Sequence, residues 1–172
     1  MPYEVEMKAW IDDWHSVERR LRDACVFERS FRKEDRYYSA NDSTFRLRLD
    51  DGAATVTYKE KSIRGGVEFN LEREFAVDDP DAFVDLVVRI GCREQHAKVK
   101  EGLHFVRDDL TVELVRVEGL GDFLEVEYLH PDDDEQRHED AARRIRAFIE
   151  QLGVDPTRIE GRPYVELLQR AR

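Results

Sequence analysis

Apolar and polar residues alternate from the first strand-like stretch onward. Tyr3, Val5 and Met7 share one face, and Glu4, Glu6 and Lys8 share the other. The period then changes. Trp14, Val17, Leu21 and Ala24 recur at helical spacing behind Asp12 and Asp13, either of which can cap a helix running to about Asp23. Residues 25–39 read as extended, with Phe27, Phe31, Tyr37 and Tyr38, and a break is expected from Arg32 to Asp35. Thr44 to Asp50 alternates cleanly, Asp51-Gly52 makes a hairpin turn, and the chain returns through Thr55 to Lys61. After a turn at Gly65-Gly66, Val67, Phe69, Leu71, Arg73 and Phe75 face one way, and Glu68, Asn70, Glu72 and Glu74 the other.

Asp79-Pro80 opens a second helix with Phe83, Leu86, Val87 and Ile90 as its stripe and Gly91 as its stop. Two strands follow, Cys92 to Val106 and Leu110 to Val117, and a turn at Gly119 to Asp122 leads into a last strand, Phe123 to Leu129. Pro131 is expected to start a long helix to about Gln151, with Ala141, Ile145, Phe148 and Leu152 on its apolar face. A short terminal helix from Pro163 carries Tyr164, Leu167 and Leu168. The sum is an α+β fold of eight strands in short-turned hairpins with peripheral helices. Such a set forms an antiparallel sheet that can close into a barrel. No linker or repeat divides residues 1–172, so one domain is expected.

Charge sharpens this picture. The net charge is −11 and charged residues make up 39% of the chain, an acidic surface that excludes general nucleic-acid binding. Lysine occurs at only six positions, Lys8, Lys33, Lys59, Lys61, Lys98 and Lys100, against 22 arginines. All but Lys33 fall on expected strands at alternate positions, and none on a helix. Cys25 and Cys92 are isolated and read as free thiols of a reducing cytoplasm. No apolar run approaches the roughly 18 residues of a membrane span. Three main helices are few for eight strands, which leaves part of the wall for a second subunit, a homodimer.

The polar faces carry the candidate chemistry. They bear Glu4, Glu6 and Lys8, then Arg46 and Arg48, Lys59 and Lys61, Glu72 and Glu74, Lys98 and Lys100, Glu113, and Glu125 and Glu127. On any one strand such charges fit a solvated face with weak cross-strand pairs. As a set they are long charged residues of both signs. If helices cover the apolar face, the charged face lines the barrel interior, where crowding makes sense only with a ligand. Guanidinium and ammonium rows suit a polyphosphate, and glutamate rows suit Mg²⁺ or Mn²⁺. There is no Walker-type loop and no serine–histidine–aspartate spacing to argue from.

Glu4-Val5-Glu6-Met7-Lys8 resembles the ExExK signature of the CYTH, or triphosphate tunnel metalloenzyme, superfamily. The resemblance continues through Arg46 and Arg48, Lys59, Glu72 to Glu74, Lys98-Val99-Lys100, Glu113, and Gly119-Leu120-Gly121-Asp122-Phe123-Leu124-Glu125-Val126-Glu127. The ending Pro163-Tyr164-Val165-Glu166-Leu167-Leu168 is similar to the tail of class IV adenylyl cyclases and their short prokaryotic relatives, which usually carry serine where Pro163 stands. The family often has arginine at the place of Lys100 and aspartate at that of Glu113. The resemblance implies that Glu4, Glu6, Glu113, Glu125 and Glu127 hold Mg²⁺ or Mn²⁺. It implies that Lys8, Arg46, Arg48, Lys59, Lys61, Lys98 and Lys100 bind a nucleoside triphosphate or inorganic polyphosphate.

Three functions follow as expectations. The leading one is a class IV-type adenylyl cyclase making cyclic AMP and pyrophosphate from ATP. The alternative is a triphosphatase acting on tripolyphosphate, thiamine triphosphate or a nucleotide, with Glu72 or Glu74 orienting the attacking water. The third is a non-enzymatic module that binds a phosphorylated ligand, or a salt-adapted barrel.

Overall fold

The computed structural model describes residues 3–41, 43–64, 67–130 and 135–171, with side chains described for all of these except residues 3–4, 59–64, 67–72, 130 and 135–138. The elements are β1 (Tyr3–Trp10), α1 (Trp14–Ala24), β2 (Val26–Ala40), β3 (Ser43–Asp50), β4 (Ala53–Arg64) and β5 (Val67–Ala76). They continue as α2 (Pro80–Arg89), β6 (Arg93–Arg107), β7 (Leu110–Val117), β8 (Gly121–His130), α3 (Glu135–Gln151), a 3₁₀ turn (Pro156–Arg158), β9 (Ile159–Glu160) and α4 (Tyr164–Arg170). The architecture is α+β, and the strands hydrogen-bond in the order β5-β4-β3-β2-β6-β7-β8-β1-β9. The two-residue β9, which pairs with β1 at Lys8 and Ala9, is one strand more than the sequence pattern suggests. β5 and β9 end this order.

A second difference matters more. No break interrupts residues 32–35; β2 runs unbroken from Val26 to Ala40. A charged run, Arg32-Lys33-Glu34-Asp35, resembles a turn in sequence, but alternation sends Lys33 and Asp35 to a buried face. Lys33 therefore joins the other five lysines on strands. The expected start of the long helix at Pro131 lies outside the described residues.

The chain forms two compact units, one of residues 1–31 and 100–172 and the other of residues 32–99. In the first, β1, β7 and β8 bury Ala9, Val112, Leu114, Leu124 and Val126 against Val17 and Leu21 of α1 and Ile145, Phe148 and Ile149 of α3. Each buried valine, leucine, isoleucine or phenylalanine among them contributes about 1.5–3 kcal/mol. The opposite face carries a separate apolar cluster of Phe31, Val115, Val117 and Phe123 under Tyr164 and Leu167 of α4. Gly102 lets β6 approach β7 closely, since a Cβ there would lie 2.1 Å from the Leu114 carbonyl oxygen.

In the second unit, Tyr38, Leu47, Ala54 and Val56 pack with Val87 of α2, and Phe45, Leu49 and Phe83 border them. Asp79 caps α2 by accepting from the Ala82 amide at 2.9 Å, with Pro80 at the first helical position. Asp51 and Gly52 both take positive φ in the β3–β4 turn, as the Asp-Gly pair predicts. Leu86, Val88 and Ile90 remain exposed.

Candidate active site

Strand register assembles a carboxylate-rich cluster in the first unit. Glu6 lies opposite Glu127 and Lys8 opposite Glu125 on β1 and β8, while Glu113 of β7 lies opposite Glu125. Lys100 reaches into this set from β6. Its Nζ lies 2.9 Å from Oε2 of Glu113 and 2.7 Å from Oε2 of Glu125, and all three side chains are about nine-tenths buried. Burial disfavours the charged ammonium, but the two carboxylates overcome it and hold Lys100 protonated well beyond the usual lysine range. Nδ1 of His104, which is opposite Glu113 in register, lies 3.3 Å from Oε1 of Glu113, and its Nε2 lies 3.4 Å from Glu28.

The negative charge exceeds what Lys100 balances. Burial pushes the Glu127 carboxyl above its ordinary value, the charges of Glu6, Glu113 and Glu125 push it further, and Lys100 offsets only part. Tyr164 of α4 is held protonated by burial first and then by Glu125, Glu6 and Glu113. Nζ of Lys8 stands 5.2 Å from the centre of that ring, a cation–π contact.

A divalent cation fits this donor set. The ligands are hard oxygens, their ionisation is mutually opposed, and Oε1 of Glu125 is buried without a hydrogen bond of good geometry although the Tyr164 hydroxyl is near its carboxylate. Glu6, Glu125 and Glu127 could hold such an ion. Lys100 already stands on one oxygen each of Glu113 and Glu125, and among the described residues no three carboxylate, imidazole or thiol groups converge as ready ligands. Glu4 lies opposite Leu129 on β1, with its side chain outside the described set.

The second unit holds the inverse arrangement. Asp35, fully buried, takes a two-pronged contact from Arg48, with Nε at 2.7 Å and Nη2 at 2.9 Å, and Nζ of Lys98 lies at 3.1 Å. Burial works to raise the Asp35 carboxyl, but the Arg48 hydrogen bonds and the charges of Arg48, Lys98 and Arg46 overcome it and hold the group far below the carboxylate range.

Beside this knot a polar rung crosses four strands: Tyr37, Arg46, Thr57 and Glu74 are successive partners on β2, β3, β4 and β5. Nη2 of Arg46 donates to the Thr57 hydroxyl at 3.2 Å, and that hydroxyl donates to Glu74 at 3.0 Å. Nε of Arg46 is buried with no acceptor. The Tyr37 ring stacks on His96, centroids 4.5 Å apart and planes 28° from parallel. Lys59 lies opposite Glu72, and Lys61 opposite Asn70, with the side chains of Lys59, Lys61 and Glu72 outside the described set.

The structure thus groups Glu6, Lys8, Lys100, Glu113, Glu125 and Glu127 in one unit, and Arg46, Arg48, Glu74 and Lys98 in the other. Sequence reasoning missed Asp35, Thr57, Tyr37 and His96. The alternation Phe31, Lys33, Asp35, Tyr37 carries the signal for Asp35, and the charge density of Arg32 to Asp35, which also fits a turn, masks it.

An antiparallel α+β sheet that gathers carboxylates in one place and guanidinium and ammonium groups in another describes a protein of metal and polyanion chemistry. A profile of the CYTH domain matches residues 2–164, and the chain belongs to the CYTH family. It is 26% identical to a Methanocaldococcus jannaschii protein named "putative adenylate cyclase MJ0240", over 95% of this chain and 97% of that one. The solved PH1819 protein of Pyrococcus horikoshii OT3 is similar at 27% identity and a TM-score of 0.79, covering 99% of this chain and 100% of that one. A Hippeastrum protein, HpAC1, described as having a dominant triphosphatase activity, shares the fold at 15% identity and a TM-score of 0.64, covering 100% of this chain and 97% of that one.

Proposed function

We propose that the protein is a divalent-metal-dependent enzyme acting on a triphosphate, and that it converts ATP to cyclic AMP and pyrophosphate. The observation that carries this reading is the division of charge: a carboxylate surplus around Lys100 and a cation surplus around Asp35. The first suits Mg²⁺ or Mn²⁺ and the second suits phosphate oxygens. The M. jannaschii relative's name supports the choice of reaction.

In this reading residues 1–172 act as one domain. Glu4, Glu6, Glu125 and Glu127 hold the ion, whose charge, when bound, stabilises the departing pyrophosphate. Glu113, engaged by Lys100 and His104, would be a further oxygen donor to the ion. Lys8, Arg46, Arg48, Lys59, Lys61 and Lys98 bind the triphosphate, while Lys100 keeps the crowded carboxylates together. The ribose 3′-hydroxyl gives up its proton to water, its oxygen forms a bond to the α-phosphorus, and the bond from that phosphorus to the bridging oxygen breaks, so that pyrophosphate leaves with that oxygen.

Hydrolysis of tripolyphosphate, thiamine triphosphate or a nucleotide is the second reading, and Glu74 favours it. This exposed carboxylate is fixed by Thr57 beside the cationic rung, where it could orient an attacking water, with Glu72 as the neighbouring candidate.

The test incubates purified protein with Mg²⁺ or Mn²⁺ and either ATP or tripolyphosphate. Cyclic AMP with pyrophosphate supports the cyclase, orthophosphate release supports hydrolysis, and turnover of neither sinks both. Glu6→Ala should abolish turnover while the thermal midpoint moves by no more than a few degrees, because Glu6 is exposed.

A further inference from the structure

The pair Tyr37 and His96 has no part in metal or phosphate binding, yet it shares the face that holds Asp35 and Lys98. Tyr37 follows Asp35 by two positions on β2, and His96 precedes Lys98 by two on β6, so each ring stands about 7 Å along its strand from the charged knot. The alternate residue Tyr38 points the other way, into the core under α2. The rings are half-buried and stacked on each other at the end of a cationic patch, a stack that a further planar group can extend. Arg46, the cross-strand partner of Tyr37, keeps its buried Nε without an acceptor. A buried guanidinium N–H in that state awaits an acceptor from a ligand.

We propose that Tyr37 and His96 form the nucleobase platform of the site, and that Arg46 receives the phosphate nearest the ribose. The inference rests on the triphosphate reading and deepens it: the preferred substrate is a nucleoside triphosphate rather than an inorganic chain. A base has a π-face to lay on the pair, and a ribose spans the step from the rings to the charged knot. Tripolyphosphate has nothing to place there. Stacking of this kind tolerates any base, so Tyr37 and His96 set the class of substrate and leave the choice among bases to other groups.

Calorimetric titration with Mg²⁺ present, using ATP and separately tripolyphosphate, tests this. Tyr37→Leu should lower the ratio of ATP to tripolyphosphate affinity by about tenfold or more, and Tyr37→Phe should restore it. A well-folded Tyr37→Leu protein with an unchanged ratio overturns the platform and leaves the ring pair as packing around Asp35. A wild-type protein that binds neither ligand overturns the triphosphate reading itself. One that binds tripolyphosphate as tightly as ATP overturns only the platform. In the wild-type protein, the imidazole proton resonances of His96, assigned by their loss in His96→Gln, should shift on adding ATP and stay in place with tripolyphosphate. The reverse pattern speaks against stacking whatever the variants do.

Discussion

The two charged clusters are opposites built on one plan. In the first unit a single buried lysine, Lys100, stands among Glu113, Glu125, Glu127 and Glu6. In the second a single buried aspartate, Asp35, stands among Arg48, Lys98 and Arg46. Each minority charge has its titration driven toward the ionised form by its neighbours, and each leaves a surplus of the opposite sign. A surplus alone would be expelled from a folded interior, while full pairing would leave nothing for a ligand. One buried residue of the minority sign, Lys100 in the first and Asp35 in the second, offsets part of the charge in each cluster.

The strongest way to break this comparison is to remove the minority charges. Lys100→Met leaves Glu113 and Glu125 facing each other in a buried site. Without metal it should cost about 3–5 kcal/mol, a fall in thermal midpoint of roughly 10 °C. Part of that should return on adding Mn²⁺, read by calorimetry with and without chelator. An unchanged midpoint in chelator would remove Lys100 as the cluster's keystone. Asp35→Asn should come next, costing about 3 kcal/mol in urea unfolding, because the amide keeps one hydrogen bond but strands Arg48 and Lys98. Added tripolyphosphate should recover some of it.

Acid sharpens the same contrast. Asp35 has a depressed carboxyl in the folded state, so its contribution is fully present above the ordinary value of 3.8 and is lost as pH falls below it toward the folded-state value. Urea midpoints of the wild type and Asp35→Asn should therefore lie apart at pH 6 and converge as pH drops below 4. Parallel curves would mean that Asp35 is not ionised by its neighbours. The smallest effect belongs to Arg116, whose two-pronged contact with Asp122 resembles that of Arg48 with Asp35 but lies in solvent. Arg116→Ala should cost no more than about 1 kcal/mol in urea unfolding, even though it also removes the Arg116 contact with the Trp14 ring.

Much of this was legible from side-chain period alone. The placement of Glu6, Lys8, Arg46, Arg48 and Lys98 on polar faces follows from alternation in single strands, and so do the helices that cover the apolar faces. What could not be read was anything set by contact across strands. Nothing in the spacing of Lys100, Glu113 and Glu125 says that the lysine contacts both carboxylates. Asp35 is hidden because four consecutive charged residues, Arg32 to Asp35, mimic a turn and obscure the period of two. In the unbroken β2 the second and fourth members of that run, Lys33 and Asp35, are buried in alternation. The apolar end of the carboxylate face was also invisible, since Trp10, Phe123 and Tyr164 come from three distant segments that share one cluster.

That apolar end has an electrical consequence. Tyr164 and Leu167 of α4 pack on Phe123, Val115 and Val117, and the buried Tyr164 brings its hydroxyl near Glu125, which is itself about nine-tenths buried. A unit charge in such surroundings is felt several times more strongly than in bulk solvent. α4 is in this sense an insulator: by burying the Tyr164 side of the cluster it strengthens the interaction among Glu125, Glu6 and Glu113.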